Sequence, residues 1–192
     1  MGQFEVPVNP DPRQRYAGLG SRAFAYAVDG ILLGVLSPLV TRKCLATGNW
    51  RFVLGVTLAW SIAVFLYRPV LHALAGATLG KWVAGIRLVA PDGLRPGLLR
   101  ALVREVLFLP SLVYSLVASF SVITSASPVL TGAAYRNAYH AFYYGSCLWL
   151  TVAFQAMAVL ILAAQMISIL RSPRCMALHD RIAGTVVLLG RR

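Results

Sequence analysis

Four long apolar runs, separated by segments that hold most of the basic residues, constrain this chain more than any other feature. The runs are Ala23 to Val40, Phe52 to Tyr67, Val106 to Ile123 and Gly145 to Leu170. A helix that crosses a bilayer needs about 20 mainly apolar residues. All four qualify, the second by borrowing Pro69 to Leu71. The sequence therefore predicts an all-α membrane protein with transmembrane helices near 23–41, 52–71, 106–124 and 145–170. The third run, with Pro110 and several serines, also fits a re-entrant or interfacial element. Composition agrees, since only 12% of residues are charged, against about a quarter in soluble domains. The expected organisation is an arm over 1–21 and one membrane domain over 22–192.

The net charge is +12. Motifs that read DNA or RNA are absent from the sequence, and the bases flank apolar runs. Anionic lipid headgroups are the simpler partner, and nucleic acid is not expected. Four spans place both termini on one side of the membrane. Fourteen of the 18 basic residues fall in the N-terminal arm extended to Arg22, the central segment 72–105 with Arg68 at its entrance, and the tail 171–192. The other loops hold only Arg42, Lys43, Arg51 and Arg136. The positive-inside rule then makes both termini and the central segment cytoplasmic.

Within that segment, Ile86, Leu88 and Ala90 alternate with Arg87 and Val89 before Asp92-Gly93. An Asp-Gly turn after a β-branched run signals a hairpin. Arg95 to Glu105 follows as a short amphipathic helix. Leu98, Leu99, Leu102 and Val103 share one face, with Arg100 and Arg104 on the other. The same stretch also reads as the frayed start of the third span. On the opposite side, Tyr135, Tyr139 and Phe142 recur at helical spacing. They read as an aromatic belt at headgroup level or as a contact surface for another membrane subunit.

Asp29 is the most informative single residue, because it lies about a third of the way into the first span. A charge at mid-bilayer costs roughly 2.5–3.5 kcal/mol on insertion scales, so a partner, a proton or a wet cavity must offset it. Arg22 is seven positions earlier, within about 20° around the helix and about 10 Å along it. One reading makes Asp29 a packing acceptor, with Arg100 and Arg104 as donors. The other makes it an ion or proton site. In the tail, His179 and Asp180 lie beside Arg181, but one His beside one Asp is no catalytic constellation. The sequence shows no nucleophile elbow, phosphate loop or paired carboxylate, so neither an enzyme nor a cofactor is expected. Cys44, Cys147 and Cys175 lack CxxC spacing, and no metal site is indicated. Cys44 and Cys147 fall on the predicted outer side, where a disulfide competes with ordinary thiols.

Three stretches resemble the RDD family of integral membrane proteins. They are Tyr16 to Gly30, containing Arg22 and Asp29; Gly76 to Glu105, containing Gly76, Gly80, Lys81, Gly85, Arg87, Arg100 and Arg104; and Ala177 to Thr185, containing His179, Asp180, Arg181 and Gly184. The resemblance implies that Arg22, Asp29 and Asp180 are the residues for which the family is named. It implies a multi-pass protein of a bacterial-type inner membrane. For function it implies transport, with cation/proton exchange as one form, or a part in a larger membrane assembly. In the first case Asp29 would be the buried coupling group. In the second the chain would serve as a structural subunit beside other subunits or copies of itself.

Overall fold

A computed structural model describes residues 16–127 and 132–190. Arg13, Arg15, Arg191 and Arg192 lie outside them. Four helices are long and apolar enough to cross a membrane: Leu19–Leu45 (α1), Trp50–Ala75 (α2), Val106–Ala126 and Leu148–Arg171 (α7). The third comprises a 3-10 turn, Val106–Phe108, followed by α5, Leu109–Ala126. Each span is buried over only 11 to 17% of its most apolar window. Helices of a water-soluble core would bury that surface against protein, so these present it to lipid. The shorter elements are α3 (Leu79–Val83), β1 (Ile86–Val89), α4 (Leu98–Arg104), α6 (Gly132–Ala141), α8 (Leu178–Ala183) and β2 (Val186–Leu189).

The chain divides into two compact units. The first contains the segment ending at Ile31, then Leu66–Leu107, then the chain from Ile161 onward. Here β1 pairs antiparallel with β2, Ile86 opposite Leu189 and Val89 opposite Val186. The other edge of β2 takes Tyr16, in a bridge to Leu188, and the Ala17 N–H donates to the Val187 carbonyl. The expected arm is therefore folded from Tyr16 on. Ala17, Ala25, Ile86, Leu88 and Val187 form the small apolar core. The Asp92-Gly93 turn does form, with Ala90 N–H donating to Leu94 and Gly93 N–H to Ala90. The ladder partner of β1, however, is the tail strand and not the segment after that turn. A four-residue strand packs where its apolar face is covered, and β2 supplies three buried residues.

α4 forms within the expected amphipathic stretch and packs against α8. Leu98, Leu99, Leu102 and Val103, expected on one face, are all exposed. Of the two arginines expected together on the opposite face, Arg104 is buried and Arg100 exposed. α8 ends in a Schellman turn: Gly184, at φ +61°, donates to Arg181, and Thr185 N–H donates to the Asp180 carbonyl. That reversal feeds the chain into β2.

The second unit comprises Leu32–Phe65 and Phe108–Leu160. Asn49 caps α2, its Oδ1 accepting from Arg51 and Phe52 N–H. Hydroxyls within the spans donate to their own helix, as Ser37 does to Leu33 and Thr124 to Phe120. Others bridge helices: Trp60 Nε1–H donates to Ser37 and Tyr114 O–H to Thr151, both at 3.0 Å. In hydrocarbon such groups have no water to turn to.

In this unit the disulfide alternative gives way to ordinary thiols, and the outer aromatics differ in exposure. Cys44 and Cys147 are free thiols. They sit in different clusters, Cys44 with Val53, Ile123 and Ala126, and Cys147 beside Ala118, Val122 and Phe142. Tyr135, Tyr139 and Phe142 do not form one outward face. Phe142 is buried and Tyr135 half-buried against α5, leaving Tyr139 exposed. A π-type turn at Phe142–Ser146, irregular at Gly145, changes the helical phase between them and α7.

Candidate functional site

The first unit holds a buried polar cluster assembled from α1, α2, α3, α4 and α8. At one end is Asp29, only 2% exposed. Its Oδ1 accepts from Tyr67 O–H at 2.9 Å and from Gly80 N–H at 2.7 Å, and its Oδ2 accepts from Thr78 O–H at 2.7 Å. The first amides of a helix lack intrahelical acceptors. Asp29 satisfies that of Gly80, while Tyr67 oxygen accepts from Leu79 N–H at 3.2 Å. Gly80 makes this approach feasible. A Cβ there would collide with the Ala25 carbonyl oxygen and lie 2.9 Å from the Asp29 carboxyl carbon. The expected donors to Asp29, Arg100 and Arg104, do not reach it, because α3 arrives first.

At the other end is Asp180, with 0% exposure. Arg22 Nη1 donates to its Oδ2 at 2.5 Å, and Arg104 Nε donates to its Oδ1 at 2.9 Å. Ala177 N–H adds a bond to Oδ2 at 3.1 Å, closing the first turn of α8. Arg22 also donates to the carbonyls of Ala17 and Cys175. Cys175 takes the left-handed region at φ 48°, a conformation that costs a non-glycine residue energy. It aims that carbonyl at Arg22. Burial alone would raise the Asp180 carboxyl, but the Arg104 and Arg22 guanidiniums outweigh it and hold it well below the usual carboxylate range. Burial alone would lower Arg104, but Asp180 keeps it charged.

Between the two ends lie His72, Lys81 and His179. Lys81 Nζ is 2.7 Å from His72 Nε2. Arg104 Nη2 is 2.7 Å from His179 Nε2. Burial and the neighbouring Arg104 charge push His179 well below its ordinary range, so a neutral imidazole accepts from Arg104. Burial, then the Arg104 charge, also push Lys81 well below the ordinary lysine range. A cavity of ≈ 10 Å³ adjoins the pair, lined by Ala25, Tyr26, Asp29, Arg68, His72, Thr78 and Lys81. That volume suits about one water with several polar partners. The Arg68 guanidinium lies over the Tyr26 ring at 4.7 Å.

The three stretches that share this cluster, at Tyr16–Gly30, Gly76–Glu105 and Ala177–Thr185, are far apart in sequence. A family model describes them as one pattern, matching residues 16–184 as the RDD family. The chain belongs to the RDD family. No curated protein and no solved structure matches it. In this RDD protein, Arg22 and Asp180 touch while Asp29 stands apart with its own donors. Gly76, Gly85 and Gly184 all take positive φ. A Cβ at Gly76 would press on the Leu88 carbonyl at 3.3 Å, where Leu88 N–H donates to Gly76 oxygen. Arg87, Arg100 and Arg181 are exposed and join none of these bonds. Among the described residues no group of three or more His, Cys, Asp or Glu could hold a metal.

Sequence reasoning missed Tyr67, His72 and Thr78. His72 fell just past the expected end of the second span at residue 71, and only the extension of α2 to Ala75 puts it inside the helix. Thr78 stood inside the Gly76–Lys81 stretch. Its role needs the N-terminus of α3, which composition alone does not place.

Proposed function

We propose that this RDD protein carries out proton-coupled transport of a cation or small solute, with the Asp29–Lys81 cavity as the coupling site. The observation that carries the reading is the buried Lys81 amine 2.7 Å from His72, beside a water-sized cavity that Asp29 also lines. The Lys81–His72 contact cannot hold both groups charged. When Lys81 is protonated, its charge balances Asp29 internally. When Lys81 is neutral, the Asp29 carboxylate is left to balance an incoming cation. One proton thus alternates with one positive charge, which is the requirement for exchange. Intramembrane ionisable groups mark such pathways by default. Arg22, Arg104 and Asp180 hold the frame and take no part in the exchange. On this reading the chain acts without enzymatic chemistry, in the bacterial-type inner membrane that the family resemblance implies, with both termini cytoplasmic by the positive-inside rule.

Proteoliposomes containing a pH-sensitive dye test this. A gradient of monovalent cation should drive proton movement through the wild-type protein and not through Asp29→Asn. Equal proton movement in the variant contradicts the reading.

A second reading, an accessory subunit of a membrane assembly, is favoured by one feature of the second unit. Tyr139 and Tyr144 are exposed, the Tyr139 and Tyr143 rings stand 4.3 Å apart, and His140 stacks on Tyr144 at 5.6 Å. Amphipathic aromatics suit subunit contacts as well as headgroups. Stoichiometric partners after purification in gentle detergent support that reading, and a lone or self-associated species opposes it.

A further inference from the structure

A second concavity of the first unit has no part in the buried cluster. Its volume is ≈ 550 Å³, and its walls include Arg100, Arg174 and Arg181 with Ser172, Met176 and Ile182. Among the described residues no acidic side chain lines it. Among the described residues none of the three arginines forms an ion pair. Three unneutralised guanidiniums around one hollow repel each other unless an anion joins them, and arginine forks match phosphate oxygens bidentately.

The location selects the source of that anion. Ser172, Pro173 and Arg174 directly follow Arg171, the last residue of the α7 span, so the hollow opens at headgroup level. The two short helices that supply Arg100 and Arg181 expose leucine and isoleucine: Leu98 and Leu99 on α4, Leu178 and Ile182 on α8. Short helices with basic and apolar faces lie in the membrane interface. We infer that the Arg100–Arg174–Arg181 hollow binds the phosphate headgroup of an anionic phospholipid, and that its size and three cations suit a headgroup with two phosphates. The site is independent of the transport reading, since none of its residues lines the Asp29 cavity.

Native mass spectrometry of the full chain in neutral detergent, titrated with diphosphatidylglycerol, phosphatidylglycerol or phosphatidylcholine, tests the inference. One diphosphatidylglycerol should be retained, in preference to phosphatidylcholine. Arg174→Gln/Arg181→Gln, and separately Arg100→Gln, should weaken it by about tenfold or more, as loss of charge-assisted bonds does. Arg42→Gln/Lys43→Gln should leave it unchanged. Free pyrophosphate at millimolar concentration should not displace the lipid. Unchanged retention in both pocket variants, equal loss in the control, or pyrophosphate binding as tightly as the lipid would each overturn the assignment.

Discussion

Arg22 and Asp180 lie 158 positions apart in the chain, yet their side chains meet at 2.5 Å. Arg104 occupies the other oxygen of the same carboxylate. Asp180 thus fastens α1 and α4 to the start of α8. Removing one partner of a buried ion pair typically costs about 3–5 kcal/mol, because the other charge stays buried. Asp180→Asn strands two guanidiniums, whereas Arg22→Met strands none, since Arg104 still faces Asp180. Asp180→Asn should therefore lower the unfolding midpoint in detergent more than Arg22→Met. The Arg22→Met/Arg104→Met double variant should depart from additivity, because both act through Asp180.

Gly80→Ala should be disruptive. The new Cβ meets backbone, the Ala25 carbonyl, and also Asp29. Overpacking of this kind costs about 1–3 kcal/mol, and here it also separates Asp29 from Gly80 N–H. Gly55→Ala, at a helical position where nothing lies within 4 Å of the added carbon, should leave the thermal midpoint unchanged or raise it. Equal midpoints for the two variants would contradict the close approach of α1 and α3.

The four spans were legible because about 20 apolar residues in a row leave few alternatives. The β1–β2 pairing was not. A local rule assigns a strand to its nearest turn, and the strand that covers Ile86, Leu88 and Val89 comes from the far end of the chain. Arg104 was grouped with Arg100 on one charged face, yet Arg104 is buried and Arg100 exposed. A helical wheel sends charge to water, and nothing on the wheel shows that Asp180 waits on the other side. The family pattern grouped Arg22, Asp29 and Asp180, but only geometry separates the Arg22–Asp180 pair from the Asp29 cavity. Tyr135 and Phe142 were assigned by spacing along one helix, which the turn at Gly145 and packing on α5 override.

Lys81 makes stability depend on pH with an unusual sign. Its folded-state pKa is depressed, so the unfolded chain binds the extra proton between the folded value and the ordinary lysine value. Stability should therefore rise with pH across that window and level off above about 10.4. Lys81→Met removes the penalty of burying an amine. Its midpoint at neutral pH should equal or exceed that of the wild type, and its alkaline rise should vanish. Melting curves from pH 7 to 10.5 in detergent measure both. An identical rise in Lys81→Met would show that another group is responsible.

Because Cys44 and Cys147 are separate thiols, the intact mass of unfolded protein alkylated without reductant should show three modified cysteines. Brief labelling of the folded protein should favour the half-buried Cys147 over the buried Cys44. A single modified cysteine after unfolding would indicate a disulfide.

The coupling role of the Asp29–Lys81 cavity is tested most directly by cation-driven proton flux in proteoliposomes, comparing wild type, Lys81→Met and Arg87→Gln. Lys81→Met removes the exchangeable proton and should leave the chain folded, and Arg87 is exposed on β1 away from the cavity. Flux should fall to the level of empty vesicles in Lys81→Met and persist in Arg87→Gln. Wild-type flux in a folded Lys81→Met protein would contradict the proposed coupling site.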